Sequence, residues 1–523
     1  MSLLRAQIAC QPLLRGCYGL YRDASPARTC LSSFHTGSKL FKGHLPGCGD
    51  TLALKPYFTR SFTSFPIPRR FPTFRSARIE SAAAWKTYAT VAAPDPPLAT
   101  RPIVAYHLLA SAALVFLIIV VGGITRLTES GLSITEWNPG LKGMRLPTTD
   151  AEWNAEWDKY KNSPEFTMIN QDMTLDDFKK IFMWEWSHRI LGRVIGVFFG
   201  VPAIYFSLRR GMVTKDVRWK LLLITAGIGF QGLLGWLMVA SGLKNPYEGE
   251  PATAQPHPDW TPRVSHFKLA AHLGTAFLVY MGMVYTAVNV LRDNGLARMT
   301  RAGAAADSAK LFIDRMSILN SSAVRRYRRV AAGLLGLVFA TAMWGAFVAG
   351  LDAGMVYSEF PTMGEGRILP PQSELLDNRY AIRTQEPVRS PDVTKEPIQP
   401  TFSRLWLGNL TQNPVTVQAV HRFLGISTLL SMFGFLRYSK KMKPWLPSAA
   451  PRFAMGAVHM TGIQVLLGIS TLIYMVPIPL AAMHQAGSVL VLTFMTCVLG
   501  VLRKPNQMLK TYAQMRSASK VHA

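Results

Sequence analysis

The sequence predicts an all-α membrane protein of eight transmembrane helices, arranged as two pseudo-symmetric four-helix bundles in a parallel internal repeat. Three observations predict it. The 523 residues are 49% hydrophobic and only 17% charged, with a net charge of +27 and a mean hydropathy of +0.16. Soluble domains carry roughly 25% charged residues, so a chain this poor in charge yet this basic holds its excess Lys and Arg outside a bilayer. Eight segments reach the ~20 apolar residues that a span needs. Finally, the motifs of the first four segments recur in the last four. The same composition excludes a disordered polar chain and a basic nucleic-acid binder, whose charge would sit on a soluble folded face. Four of the five cysteines lie in the first fifty residues, which excludes a disulfide framework; Cys497 stands alone in an apolar run as a packing residue.

Residues 1–90 hold thirteen Lys and Arg against three acids, with abundant Ser, Thr, Phe and Pro and no long apolar run. That is the pattern of a mitochondrial transit segment, here expected over 1–95 with cleavage between 75 and 100. Spans are expected at about 102–124, 188–208, 219–241, 267–291, 330–351, 416–436, 453–476 and 479–502, the last two parted by the Pro-rich turn Val476-Pro-Ile-Pro479. Connections at 209–220, 292–329 and 437–452, and the tail from 503, carry 5, 9, 5 and 5 basic residues against 1, 3, 0 and 0 acids. The alternate connections at 125–187, 242–265 and 352–415 carry 7, 2 and 6 basic residues against 11, 3 and 8 acids. Positive loops stay inside, so both termini are expected in the matrix and the long acidic loops in the intermembrane space.

Gly122-Gly-Ile-Thr-Arg-Leu-Thr-Glu-Ser-Gly131 matches Gly345-Ala-Phe-Val-Ala-Gly-Leu-Asp-Ala-Gly354 at an offset of 223, which also sets Glu136 on Glu359, Gly143 on Gly366 and Pro147 on Pro370. At an offset of 233, His188-Arg189 matches His421-Arg422, and Gln231-Gly-Leu-Leu-Gly235 matches Gln464-Val-Leu-Leu-Gly468. His272-Leu-Gly274 pairs with His484-Gln-Ala-Gly487 once a shorter loop is allowed. Four spans per unit is an even number, so the units share one orientation about an axis along the membrane normal, unlike inverted-repeat transporters. The expected domains are a leader (1–95), an N-terminal bundle (96–291), a basic matrix linker (292–328), a C-terminal bundle (329–502) and a matrix tail (503–523).

Ionisable groups inside a span are costly and mark function. Spans two, four, six and eight all start on the outer side, which brings His188, His272, His421 and His484 to a similar depth, one pair per bundle. Two imidazoles from facing helices at one depth suit axial ligation of a haem iron in a bundle core. Zinc fits less well, because it wants four ligands in one tetrahedral site. His107 and His459 fall near the opposite face as helix-end polar residues, and His257 and His266 read as loop histidines, with contact to a propionate open to His266.

The halves differ at one informative place: Glu185-Trp-Ser-His-Arg189 becomes Gln418-Ala-Val-His-Arg422. A glutamate one turn from the histidine moves a proton or stabilises cationic charge, and glutamine does neither. The alternative is that Glu185 only pairs with Arg189 or another Arg, or serves as a helix-end charge. Arg189 and Arg422 suit bidentate contact with haem propionates, or simply line the outer rim.

Glu185-Trp-Ser-His-Arg189, Ala271-His-Leu-Gly274, Val420-His-Arg-Phe-Leu-Gly425, His484-Gln-Ala-Gly487 and the loop start at Gly122 resemble the signature segments of the haem A synthase family, over about residues 100–502. The leader and basic linker resemble its mitochondrial branch. The resemblance implies an oxidoreductase that acts on a CH3 group, converting the C8 methyl of haem O to a formyl group by successive hydroxylations for cytochrome c oxidase assembly. It implies that His421 and His484 hold a haem b cofactor, that His188 and His272 receive the haem O substrate, and that Glu185 is required at that site. It also implies a mitochondrial inner-membrane location, electrons from a matrix ferredoxin and its reductase, homo-oligomers, and association with the haem O synthase. The farnesyl tail of haem O places substrate and product in the lipid bilayer. The cysteine pair that many bacterial members carry in their outer loops is missing here. Two other functions compete: a di-haem b-type electron carrier, which has no need of the Glu185/Gln418 difference, and a haem transporter or chaperone.

Overall fold

The computed structural model describes residues 99–140, 143–244, 261–302, 317–382, 401–507 and 509–511. The leader expected over 1–95, residues 303–316 of the expected linker, His257 and the end of the tail lie outside the described residues. The described residues contain no strand. Among the described residues, eight helices are long and apolar enough to cross a membrane. They are α1 (Pro102–Leu127), α2 (Leu175–Leu208), α3 (Lys215–Gly242), α4 (His266–Ala302), α5 (Ser322–Gly350), α6 (Pro414–Met442), α7 (Ala449–Ile473) and α8 (Ile478–Val501).

Each start has a local cause. Proline stands in the first turn of α1, α6 and α8, where its missing N–H costs nothing. Thr174, Ser321 and Asn413 cap α2, α5 and α6 by accepting a first-turn backbone N–H. α1 and α5 end alike: the chain turns into the left-handed region at Glu129 (φ 50°) and at Asp352 (φ 51°), positions 223 residues apart. Gly143 and Gly366, the next matched pair, are also left-handed, at φ 68° and 73°.

α2 and α4 outrun the expected spans the furthest. α2 starts thirteen residues before 188, and at 34 residues it is about 51 Å long, well beyond a ~30 Å hydrocarbon core. Its extra turns carry Asp176, Asp177, Lys179 and Lys180, so hydropathy hides them although they are helical. α4 likewise continues to Ala302, into the segment expected as linker. Arg292 there bonds the carbonyls of Gly500 (3.2 Å) and Val501 (3.1 Å) at the end of α8, which ties the extension down.

α1–α2–α3–α4 close a ring of neighbours, and α5–α6–α7–α8 close a second in the same order. The rings meet through α1 and α4 on one side and α5 and α8 on the other. Lipid is as apolar as leucine, so such contacts rely on close packing at small residues and on hydrogen bonds. A side chain at Gly500 would meet Val288, and one at Gly274 would meet Met343, each within 3 Å. Arg126 on α1 pairs with Asp352 after α5 at 2.8 Å, and Arg263 pairs with the same carboxylate at 3.0 Å. Outside the membrane, the acidic connection folds rather than dangles. Helix Asp150–Lys161 starts with a Thr149/Glu152 capping box and, with Pro164–Met168, packs Trp153, Trp157, Tyr160 and Phe166 on Phe178 and Phe182 of α2.

Candidate haem-binding sites

His188 of α2 faces His272 of α4 with ring centroids 6.4 Å apart and planes at 58°. His421 of α6 faces His484 of α8 with centroids also 6.4 Å apart and planes at 89°. An imidazole nitrogen binds a metal at about 2 Å, so two rings sharing one ion stand about 6 Å apart between centroids. Both pairs have that spacing. Among the described residues no group of three or more His, Cys, Asp or Glu is placed to hold a metal ion, so each pair offers two nitrogen donors. Two are what a haem iron takes from protein, its other ligands coming from the porphyrin.

Every ring also lies against a helical glycine. A Cβ at Gly122 would come within 2.9 Å of His188, at Gly235 within 3.7 Å of His272, at Gly345 within 3.1 Å of His421, and at Gly468 within 2.9 Å of His484. Gly122 corresponds to Gly345, and Gly235 to Gly468, in the sequence repeat. The Nδ1 atoms of His272, His421 and His484 are buried with no hydrogen-bond partner. Donor set, spacing and glycine cradles thus fit a haem at each pair.

Above the N-terminal pair sits a dense polar knot. Glu185 is 3% exposed. Its Oε2 accepts from the Ser133 hydroxyl at 2.7 Å and the Ile134 backbone N–H at 2.8 Å. Its Oε1 accepts from Arg189 Nη2 at 2.7 Å and Nε at 3.1 Å. Arg189 further donates to the carbonyls of Ile134 (2.9 Å) and Glu136 (3.0 Å) and lies over the Trp137 ring at 5.2 Å. The i,i+4 pairing anticipated as the alternative is therefore present, and most Arg189 donors are spent on Glu185 and the 134–136 loop. Over the C-terminal pair the loop contact recurs without the acid. Arg422 donates to the Tyr357 carbonyl at 3.1 Å, the counterpart of Ile134. Gln418 bonds the same carbonyl at 2.9 Å, and its Oε1 has no partner.

The other histidines sort differently. His107 is boxed by Phe198, Phe199 and Phe206, and His459 faces outward from α7. His266, expected as a solvated loop residue, is instead the first residue of α4, packed on Phe267 (4.2 Å) and Phe347 (5.9 Å). Sequence reasoning missed Gln485. Next to His484, it crosses between the rings to bond the Ile119 carbonyl of α1 at 3.1 Å, in a notch that only Gly123 leaves open. The doubled glycine Gly122-Gly123 was the signal.

The family model described as COX15-CtaA, cytochrome oxidase assembly protein, matches residues 105–496, from α1 to α8 and across all four histidines. The chain is 41% identical to the heme A synthase-mitochondrial ferredoxin fusion protein of Schizosaccharomyces pombe, covering 75% of this chain but only 58% of that relative's length. It is 40% identical to heme A synthase COX15 of Saccharomyces cerevisiae (78% of this chain, 77% of the relative) and 36% identical to that of Homo sapiens (78% and 85%). By the extent of these matches, the chain belongs to the COX15-CtaA family of cytochrome oxidase assembly proteins.

Proposed function

We propose that the chain is a haem A synthase of the mitochondrial inner membrane, oxidising the C8 methyl of haem O to a formyl group for cytochrome c oxidase. The observation that carries this reading is the pairing of two equal histidine sites with one carboxylate that only the N-terminal site has. In this reading His421 and His484 hold a resident haem b, which supplies one-electron chemistry when bound. His188 and His272 take the substrate, haem O. Ser133, Ile134 and Arg189 hold Glu185 rigidly one turn from His188, where its carboxylate stabilises positive charge or takes a proton as the methyl carbon is oxidised. Arg189 acts mainly as the clamp on Glu185, with propionate contact secondary. Arg422, whose buried Nε has no partner, is the better placed of the two for a propionate.

The expected domain boundaries stand as part of the proposal: leader 1–95, bundles 96–291 and 329–502, linker 292–328 and tail 503–523, the bundles related by an axis along the membrane normal and both termini in the matrix. The recurring loop contacts and left-handed turns support the repeat. A ferredoxin with its reductase is the proposed electron source, supported by the ferredoxin fused to the S. pombe relative. Haem O synthase is the proposed supplier of substrate, and a homo-oligomer the proposed assembly.

Mass analysis of pigment extracted from the full chain, expressed with a haem O supply, tests the activity. Haem A with a formyl group is expected. Unchanged haem O would make the chain a carrier or chaperone, and two tightly held haem b groups would make it an electron carrier.

A further inference from the structure

In the N-terminal half, α2 and α3 close on each other near the matrix loop and part toward the histidines. On α2, Phe198 packs on His107 of α1. Gly196 and Gly200, two residues to either side, are turned about 200° from it, onto the flank where α3 is the neighbour. Ala203 on that flank is buried, while both glycines are half-buried. On α3, Gly232 lies about three turns beyond the buried Leu221 and on the same face, yet it is exposed, as is Gly229. A Cβ at Gly196, Gly200, Gly229 or Gly232 would meet nothing within 4 Å. Small residues in a membrane helix ordinarily let a neighbour approach, as Gly274 and Gly500 do here, but no neighbour comes close to these four. The outer end of the gap reaches the histidine pair. Gly235, three residues after Gly232, lies against His272, whose buried Nδ1 has no partner, and His188 stands about two turns before Gly196. The C-terminal half fills the same positions. At the offset of 233, Gly196, Gly200 and Gly232 become Leu429, Phe433 and Val465, whereas Gly229 and Gly235 remain glycine as Gly462 and Gly468.

We propose that the gap between α2 and α3 is the berth of the farnesyl tail of haem O, kept open by Gly196, Gly200 and Gly232. The ligand's identity rests on the proposed oxidation of haem O. Between His188 and Gly200, α2 rises about 18 Å, close to the length of an extended farnesyl chain. The exposed glycines open the gap sideways to lipid, so the tail enters without leaving an apolar medium. Haem b carries no such tail, and the half proposed to hold it has side chains where a tail would lie. Two sites of equal histidine spacing are thus sorted between two haems by what stands between the helices. The berth also orients the substrate. A macrocycle on two axial nitrogens is free to turn about that axis, and a tail held off the axis fixes one setting relative to Glu185. Gly196, Gly200 and Gly232 are therefore specificity and positioning residues that touch no reacting atom.

Full-length chains carrying Gly196→Leu, Gly232→Val or both receive the residues of the C-terminal half and are compared with the native chain and with Gly196→Ala. Added haem O and added haem b, the same macrocycle type without the tail, are the probes, and pigment bound beyond the resident haem is measured. The native chain should hold haem O about tenfold or more tightly than added haem b. Gly196→Leu and Gly232→Val should lose that preference and form haem A about tenfold more slowly, with resident haem at the native level as the check on folding. Gly196→Ala, whose methyl group meets nothing within 4 Å, should behave as native. An intact preference for haem O in the Leu and Val variants overturns the proposal. If that intact preference comes with a changed oligomeric mass or changed co-purifying lipid, the gap belongs to a second copy or to a bilayer lipid instead. Should a variant lose its resident haem, the native chain decides, because no preference for haem O over haem b there overturns the berth by itself. A native chain that prefers haem O yet makes no haem A would sink the proposed oxidation and leave the berth. Haem A formed at the native rate by the Leu and Val variants would sink the berth and leave the oxidation.

Discussion

The two halves of this molecule use one plan and differ in what stands above the histidines. Ring spacing is 6.4 Å in both, each ring lies on a helical glycine, and an arginine one residue after the first histidine bonds the same loop carbonyl position. In the N-terminal half a buried, clamped carboxylate and a folded aromatic cap are added. In the C-terminal half a glutamine replaces the acid and leaves its own oxygen unpaired. On the proposed function, the shared part serves to hold a macrocycle and the added part to change one.

The largest effect that separates the halves is loss of pigment. His421→Ala or His484→Ala should strip the resident haem from the purified chain, read from the reduced-minus-oxidised spectrum. His188→Ala or His272→Ala should keep that haem and lose product. Equal loss of colour from all four variants would break the division of labour.

Next come the arginines. Arg189 is about 10% exposed beside a carboxylate that is about 4% exposed. Removing one partner of a buried pair strands the other at a cost of about 3–5 kcal/mol. Arg189→Ala should therefore destabilise the full chain strongly, while Arg422→Ala, which strands no carboxylate, should cost only the roughly 1 kcal/mol typical of lost hydrogen bonds. Thermal unfolding in detergent compares them, and equal costs would deny the ion pair its structural weight. Smaller still is the glycine cradle. Gly345→Ala, with a Cβ 3.1 Å from His421, should shift the resident haem's spectrum without emptying the site, whereas Gly122→Ala, 2.9 Å from His188, should leave that spectrum unchanged and lower turnover.

Much of this architecture was legible in the chain itself. Eight apolar runs are unambiguous because a bilayer demands length, and the histidines declared themselves because an imidazole in lipid needs a reason. The repeat offset of 223 led from Gly122 to Gly345, which the structure places against His188 and His421. What stayed hidden depends on tertiary contact. Asp176 to Lys180 read as loop, although Thr174 caps them into α2. Glu165 looked like one acid among eleven in its loop, because burial leaves no mark on an isolated letter. His266 looks like a loop residue in the sequence because its partner, Phe347, is 81 positions away. Gln485 crosses 366 residues to reach Ile119, and no local pattern announces a bond of that separation.

The most direct test of the comparison is Glu185→Gln, which gives the N-terminal half the residue that the C-terminal half already has. Pigment should be counted and weighed from the purified full chain. The account predicts resident haem b at the native level, haem O retained unoxidised, and haem A lowered by about a hundredfold or more. Haem A at native yield from that variant would contradict it.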